Sequence, residues 1–180
     1  ERLEEEARRV PAGSDGLLHL PYLCGSMNPF WDMNARGAFV GLSASHHRGH
    51  VYRSILEGIA FEQLFAIRSV ERAIDRKVRR LIAIGGGAAS DLWCRIITDI
   101  TGREIWLPKN TEASALGAAI AAAVAAGWHP SFRDAANAMA AIRKKIRPDP
   151  GNHAKYRKIF ALYQKLYPLL KSVTDPEGAG

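Results

Sequence analysis

The sequence predicts an α/β fold with a partly parallel sheet, and three observations lead to that prediction. Two short runs, Leu81–Ile84 and Glu104–Leu107, have the composition of buried strands, and each precedes a segment with helical apolar spacing. Strands that alternate with helices pair in parallel, because the helix carries the chain back across the sheet. The chain has 180 residues, 47% of them apolar, which is enough for one domain with its own core.

The first forty residues predict one helix and two strands. Residues 1–10 are densely charged and predict a short helix, which the turn-forming residues 11–16 bring to an end. Apolar runs predict strands over 17–23 and 38–42. The stretch 25–36 between them has no clear period, and we expect it to be irregular.

The middle of the chain carries the strand and helix alternation. Apolar side chains at helical spacing predict a long helix from about Gly49 to about Asp75. The strand over 81–84 follows it, and Ser90 then has the chemistry of a helix N-cap. Gly102 is placed to end the second helix, just before the strand over 104–107.

Three further helices are predicted after the second strand. An alanine-rich helix opens at Thr111–Glu112 and stops at Gly127, and another covers about 131–142. The final helix runs from about Asn152 to Val173 and is amphipathic and basic, and we expect the tail 175–180 to be frayed.

Composition limits the classes of function without choosing among them. The formal charge of +7 suits a polyanion, a nucleotide phosphate or an acidic neighbouring surface. The cysteines Cys24 and Cys94 have no metal-ligand spacing, so no metal site is expected. No signal peptide is recognisable, and the apolar run within 113–128 is shorter than the ~20 residues that cross a bilayer, so we expect a cytoplasmic protein.

The three glycines Gly85, Gly86 and Gly87 stand between a strand and a helix, and two explanations fit them equally well. A tight turn with close helix packing needs small residues, and so does a phosphate that approaches a helix N-terminus. The Rossmann G-x-G-x-x-G spacing is absent, and no Gly-Lys-Ser/Thr of a P-loop follows.

Gly117 lies inside the alanine-rich helix, where a glycine costs about 1 kcal/mol relative to alanine. Its position predicts that another backbone approaches the helix closely. Ordinary helix packing is the alternative explanation.

The order of these elements resembles the adenosine motif and connecting helix of the actin/Hsp70/sugar-kinase ATPase fold. The stretch from Leu20 to Glu62, with Pro21–Gly25, Pro29–Asp32, Ala35–Gly37 and Arg53–Ala60, is similar to the C-terminal domain of FGGY carbohydrate kinases. "GGGAASDLW" and "EASALGAA" match the nucleotide-binding part of that family, and xylulokinase-like members look nearest. One departure is Ser26-Met27, which stands where many members carry a charged pair.

The resemblance implies a ribonuclease H-like (actin-like ATPase) domain, with an incomplete mixed sheet, flanking helices and a helical C-terminal tail. It implies that 1–180 is the later part of a nucleotide-binding lobe, and that the sugar-binding lobe and the catalytic aspartate belong upstream. The implied ligands are ATP with Mg²⁺ and a sugar, a ketopentose such as D-xylulose. We expect no nucleic acid or membrane partner, and a homodimer is compatible with the resemblance.

The resemblance also assigns residues to two sites. The adenosine site is predicted to comprise Gly85, Gly86, Gly87, Ala88, Ser90 and Asp91. The hinge between lobes is predicted to include Glu112 and Gly117.

Several other residues have a structural explanation that we favour over a catalytic one. His46, His47 and His50 have no ligand spacing with a carboxylate or cysteine, so we expect them at the helix start and the lobe surface. Glu57 is expected to form a structural hydrogen bond. Trp31 and Asp32 match the family motif, but an aromatic anchor and a turn carboxylate would give the same pattern.

Two functions of other classes remain open from the sequence. One is a non-catalytic module that binds a nucleotide or a partner through the same fold. The other is a nucleic-acid binder that uses the basic runs 76–80 and 143–147, for which solvated faces are the preferred explanation.

Overall fold

A computed structural model describes residues 2–174, in which six α-helices and five β-strands follow one another in mixed order. In chain order these elements are α1 (Arg2–Arg9), β1 (Leu18–Leu20), β2 (Ala38–Val40), α2 (Arg48–Ala73), β3 (Arg80–Ile82), α3 (Asp91–Thr101), β4 (Glu104–Pro108), α4 (Ala113–Ala125), α5 (Phe132–Met139), β5 (Ile142–Ile146) and α6 (Pro150–Thr174). Short 3₁₀ turns cover Ser14–Gly16 and Gly86–Ala89. The predicted frayed tail, 175–180, lies outside the described residues.

The strands form two small sheets. β1 and β2 pair antiparallel, with Leu18 opposite Val40. β3, β4 and β5 form the second sheet in that order, where β3 runs parallel to β4 and β5 runs antiparallel to it. The predicted mixed sheet is confirmed, and among residues 2–174 no strand pairs with the second edge of β3.

The strand β5 corrects the predicted end of the helix over 131–142. It overlaps the basic run 143–147, whose Arg143, Lys145 and Arg147 are exposed as the solvated-face explanation predicts. The helix α5 ends at Met139, and the chain then pairs with β4. Along β5 the end residues Ile142 and Ile146 turn inward, whereas Arg143 and Lys145 stay exposed. This alternation has the period of a strand, but basic residues at the outward positions concealed it.

The helix ends follow local capping chemistry. Ser90 accepts a hydrogen bond from the amide of Trp93 at 3.1 Å and caps α3, and Gly102 ends that helix in the left-handed conformation at φ 68°. His47 caps α2, because its Nδ1 accepts from the amide of Gly49 at 3.1 Å. The prediction that the histidines lie at the helix start is confirmed for His47.

The core lies between α2, α3 and α6. α2 contributes Phe61 and Leu64, which are buried together with the apolar face of α3. From α6, four aromatic side chains at helical spacing reach this core: Tyr156, Phe160, Tyr163 and Tyr167. The second sheet lies at the edge of this core, and the two loops at its carboxyl end form the candidate site.

Candidate functional site

The candidate site lies where the parallel strands β3 and β4 end. The loops that follow them touch, since the amide of Gly85 donates to the carbonyl of Thr111 at 3.3 Å. In open α/β sheets, ligands bind outside the carboxyl ends of parallel strands. Topology therefore brings the glycine turn and the start of α4 to the same edge of the sheet.

Gly85 is required by the backbone conformation of the turn. Its φ of 73° and ψ of −169° lie in a region that is essentially restricted to glycine. The turn closes when the amide of Ala88 donates to the carbonyl of Gly85 at 3.1 Å. Any side chain at this position would strain the connection between β3 and α3.

Gly86 and Gly87 are explained by space rather than by backbone angle. A Cβ on Gly86 would meet no described atom within 4 Å, so the surface above it is open. A Cβ on Gly87 would lie 3.1 Å from Nε1 of Trp93, so that glycine lets the indole pack against the turn. Both explanations from the sequence are therefore present, close packing at Gly87 and open approach at Gly86.

The side chains of Ser90 and Asp91 already have partners within the fold. The hydroxyl of Ser90 donates to Glu4 at 3.0 Å, and the carboxylate of Asp91 pairs with Lys144 at 2.8 Å. The hydrogen bond from Lys144 lowers the pKa of Asp91 below its ordinary value. A ribose or base contact through either side chain would require an exchange of partners, and it stays a prediction.

A cleft of about 420 Å³ opens beside the turn. Gly87 and Ala88 form part of its wall, and the other predicted site residues do not line it. Its remaining walls come from α2, β3 and α3 and are mostly apolar, with Ile67, Leu81, Trp93 and Ile97 among them. Leu81 and Ile82 of β3, whose second edge is unpaired among residues 2–174, belong to this lining.

The predicted hinge residues lie on an exposed helix. Glu112 precedes α4 with its side chain in solvent, and a Cβ on Gly117 would meet no described atom within 4 Å. Of the thirteen residues in α4, only Ala123 is buried. The backbone that was expected to approach Gly117 is therefore absent from residues 2–174, and the hinge stays a prediction.

Glu57 is buried at the centre of a polar network, which confirms a structural hydrogen-bonding role. Its carboxylate accepts from Arg53 at 2.8 Å, from Tyr156 at 2.6 Å and from the amide of Gly13 at 2.9 Å. The network ties α2 to α6 and to the first turn, and it holds the carboxylate away from the glycine turn. Asp32 is a turn carboxylate that accepts from the amide of Asn34, while Trp31 is 77% exposed.

The described residues leave the backbone of the glycine turn open and form no dedicated metal site. The glycine turn offers an open backbone surface at Gly86, which is what a phosphate or a sugar edge requires. Within residues 2–174, no group of three His, Cys, Asp or Glu side chains converges to hold a metal ion. Mg²⁺ that is bound to nucleotide phosphates needs few ligands from the protein. We therefore assign no carboxylate of this chain to Mg²⁺.

The sequence analysis did not predict that Trp93 packs against Gly87. Its position in the first turn of α3, three residues after the N-cap, was a signal, because helical side chains point back toward the N-terminus. The contact between Gly85 and Thr111 had no sequence signal, since it joins residues of different loops. Among residues 2–174, no helix combines the length and apolar character needed to cross a membrane.

Comparison with known proteins places this geometry in a family context. The family model "FGGY family of carbohydrate kinases, C-terminal domain" matches residues 1–126. The chain is 34% identical over 167 residues to xylulose kinase of Bacillus subtilis, with 93% of this chain and 33% of that protein covered. It is 35% identical over 170 residues to gluconokinase of the same organism, with 94% and 33% covered.

A crystal structure of xylulose kinase from Rhodospirillum rubrum superimposes with a TM-score of 0.82 at 36% identity. That superposition covers 96% of this chain and 34% of the other. The chain thus spans about a third of the length of the curated relatives it matches.

Proposed function

The chain belongs to the FGGY family of carbohydrate kinases, and from that premise we propose that it is the nucleotide-binding portion of an ATP-dependent sugar kinase. The reaction is transfer of a phosphoryl group from Mg·ATP to a sugar hydroxyl. Catalysis of this kind rests on positioning and on stabilisation of charge rather than on covalent chemistry. The predicted actin-like ATPase fold is confirmed by the structural neighbours.

The observation that carries the proposal is the turn Gly85–Ala88 at the carboxyl end of β3. It joins a parallel strand to the N-terminus of α3, at the sheet edge where ligands of open α/β sheets bind. Open space above Gly86 leaves room for a ligand to contact the backbone. We assign the adenosine end of ATP to this turn.

The proposed division of the protein follows from what the chain leaves exposed. α4 is apolar on every side, yet nearly all of it faces solvent, and β3 has an unpaired edge. Helices that are apolar all round are normally buried. Residues 1–180 are thus proposed as the later part of the nucleotide-binding lobe, with the hinge helix α4 covered by the remaining part of the kinase.

The proposed acceptor is a ketopentose such as D-xylulose, and D-gluconate is the second candidate. Xylulose kinases occur among both the curated relatives and the solved structures. The gluconokinase relative is as similar to this chain, at 35% against 34% identity. Sugar contacts in the proposed enzyme come mainly from the other lobe. This chain therefore contributes little to the selectivity between the two sugars.

Nucleotide binding by the variant Gly86→Val tests the assigned turn. The new side chain meets no described atom, so the free energy of unfolding should stay unchanged while the isopropyl group blocks the ligand. Titration of the chain with a fluorescent ATP analogue should show at least about tenfold weaker binding, equal to about 1.4 kcal/mol.

The matched control is Ala89→Val, which adds similar bulk at an exposed position of the same 3₁₀ turn. It should bind the analogue as the wild type does. Equal affinity of the Gly86→Val variant and the wild type would move the nucleotide away from this turn.

A further inference from the structure

A second cleft lies at the other end of the parallel strands and has a different chemistry. It encloses about 920 Å³, and basic side chains from three separate segments line it. Arg68 and Arg72 come from the last turns of α2, Arg76 and Lys77 from the loop that follows, and Arg103 from the residue before β4. Residues 76–77 and 103 precede β3 and β4, so this basic cleft faces the amino ends of the strands.

The two clefts are separate because they lie at opposite ends of the parallel strands β3 and β4. The glycine turn follows the carboxyl end of β3, whereas Lys77 precedes its amino end. Three strand residues span about 10 Å at ~3.3 Å per residue. The glycine turn and the basic cleft therefore lie at opposite ends of β3, with separate lining residues.

The acidic groups in the cleft do not balance its basic groups. Glu71 and Asp75 face five positive side chains, which leaves a net charge of +3 by simple addition. Glu71 is buried and already accepts from Arg103 at 2.7 Å and from the amide of Val78 at 2.9 Å. Its remaining oxygen lies 3.5 Å from Lys77, so Glu71 has little capacity left for the arginines of α2.

Four of the five basic residues are exposed, and two details describe how their charges meet at the wall of the cleft. Burial and the neighbouring positive charge of Arg103 lower the pKa of the Arg68 guanidinium. The Nε of Arg103 is buried and has no hydrogen-bond partner among the described residues. An anion in the cleft would offset the repulsion between these guanidinium groups.

We propose that the basic cleft binds a small phosphate-bearing anion, at a site separate from the nucleotide turn. Arginine is the residue best suited to phosphate, because its planar fork donates two parallel hydrogen bonds. The wall formed by Phe30, Phe65 and Pro29 offers an apolar surface to the organic part of a phosphate ester. The volume lies within the roughly 300–1,000 Å³ of small-molecule sites.

Binding of inorganic pyrophosphate and of ribose 5-phosphate to the full chain tests the proposal. Isothermal titration at low salt should detect saturable binding of at least one probe, and pyrophosphate should still bind the Gly86→Val variant. Tighter binding of ribose 5-phosphate than of pyrophosphate identifies a phosphate ester as the ligand class, and equal or tighter binding of pyrophosphate identifies the free anion. Absence of binding by both probes overturns the proposal.

The decisive variant is Arg72→Glu combined with Arg76→Glu, two exposed residues without an ion pair among the described residues. Its matched control is Arg133→Glu combined with Arg143→Glu, which makes the same change in net charge at exposed positions outside the cleft. The cleft variant should bind the probe about tenfold more weakly or worse, while the control changes little. Equal losses in both variants overturn the proposal, because they would reflect overall charge alone.

A single-stranded DNA oligonucleotide provides the last arm, since a polyanion could use the same arginines. Pyrophosphate should compete with any oligonucleotide that binds. If the oligonucleotide binds with a steep salt dependence and pyrophosphate does not displace it, the cleft is a nucleic-acid surface and the proposal is wrong.

Discussion

At the scale of single residues, the half-buried Glu62 differs from the buried carboxylates of α2, Glu57 and Glu71. Glu57 is paired with Arg53, whereas within residues 2–174 Glu62 accepts only from tyrosine hydroxyls, from Tyr22 at 2.9 Å and Tyr163 at 2.8 Å. Its second oxygen is buried without a partner in the described part of the chain. Burial therefore raises the pKa of Glu62, and the hydrogen bonds from the tyrosines offset only part of that effect.

This environment predicts that Glu62 makes the fold less stable as the pH rises. A carboxyl group whose pKa is higher in the folded state favours folding below its unfolded pKa of 4.5, and that contribution is lost as the pH passes the folded value. The variant Glu62→Gln keeps the size and an acceptor oxygen without the charge. We measure the free energy of unfolding of variant and wild type with urea at pH 5 and pH 8. The value for the variant should increase relative to that of the wild type as the pH rises.

The control for this measurement is Glu112→Gln, which removes the charge of an exposed glutamate. Its stability relative to the wild type should change little between the two pH values. If the difference in free energy of unfolding between Glu62→Gln and the wild type is the same at pH 5 and pH 8, folding does not raise the pKa of Glu62 and the prediction is wrong.

At the scale of elements, α4 and β3 are the parts of the chain that residues 2–174 leave uncovered. Ile82 and Ile84, beside the open edge of β3, are 62% and 53% exposed. α4 packs mainly against α5, and both helices leave apolar residues in solvent, with Phe132 at 63%. These surfaces fit an interface with the rest of the proposed kinase.

Gly117 allows that idea to be tested, because the expected effect depends on what covers α4. In the 180-residue chain the position is open, so Gly117→Ala should stabilise the fold by up to about 1 kcal/mol through helix propensity. In the complete kinase, Gly117→Leu should overpack the interface and cost about 1–3 kcal/mol. Thermal and urea unfolding of both proteins measure these changes.

Ala119→Gly is the matched control, since Ala119 is exposed on the same helix. It should destabilise the chain by about 1 kcal/mol, opposite in sign to Gly117→Ala. If the complete kinase accepts leucine at 117 with unchanged stability and unchanged kcat, no backbone approaches this glycine and the hinge assignment fails.

At the scale of the whole molecule, the chain by itself is predicted not to phosphorylate sugar. In-line transfer requires a base within hydrogen-bond reach of the attacking hydroxyl and a sugar fixed against the γ-phosphate. Glu57 is enclosed by its network, and Asp91, the carboxylate next to the glycine turn, is paired with Lys144. Neither is free to serve as that base.

A coupled assay of ADP release measures this prediction with Mg·ATP and a panel of D-xylulose, D-gluconate and glycerol. The 180-residue chain should show no sugar-dependent release, and the complete kinase should show it with one of the three. Sugar-dependent release by the chain alone, lost in Glu57→Gln, would place the base inside these residues and contradict the structural role of Glu57.

Features governed by neighbours along the chain could be predicted without tertiary structure. The N-cap at Ser90, the left-handed end of α3 at Gly102 and the long helix α2 depend on contacts within a few residues. The strand–glycine–helix order was likewise readable, because a buried strand and an amphipathic helix have different periods. These features were enough to predict the mixed α/β fold and the location of the glycine turn.

Tertiary structure decided what depends on residues far apart in sequence. β5 is a strand because β4 offers it an edge, and the basic residues at its exposed positions concealed the strand period. Ser90 and Asp91 have partners that the sequence did not predict, because Glu4 and Lys144 reach them from other elements. The basic cleft exists because parallel strands bring the segments before β3 and β4 together, and a backbone hydrogen-bond ladder of that kind leaves no period in the side chains.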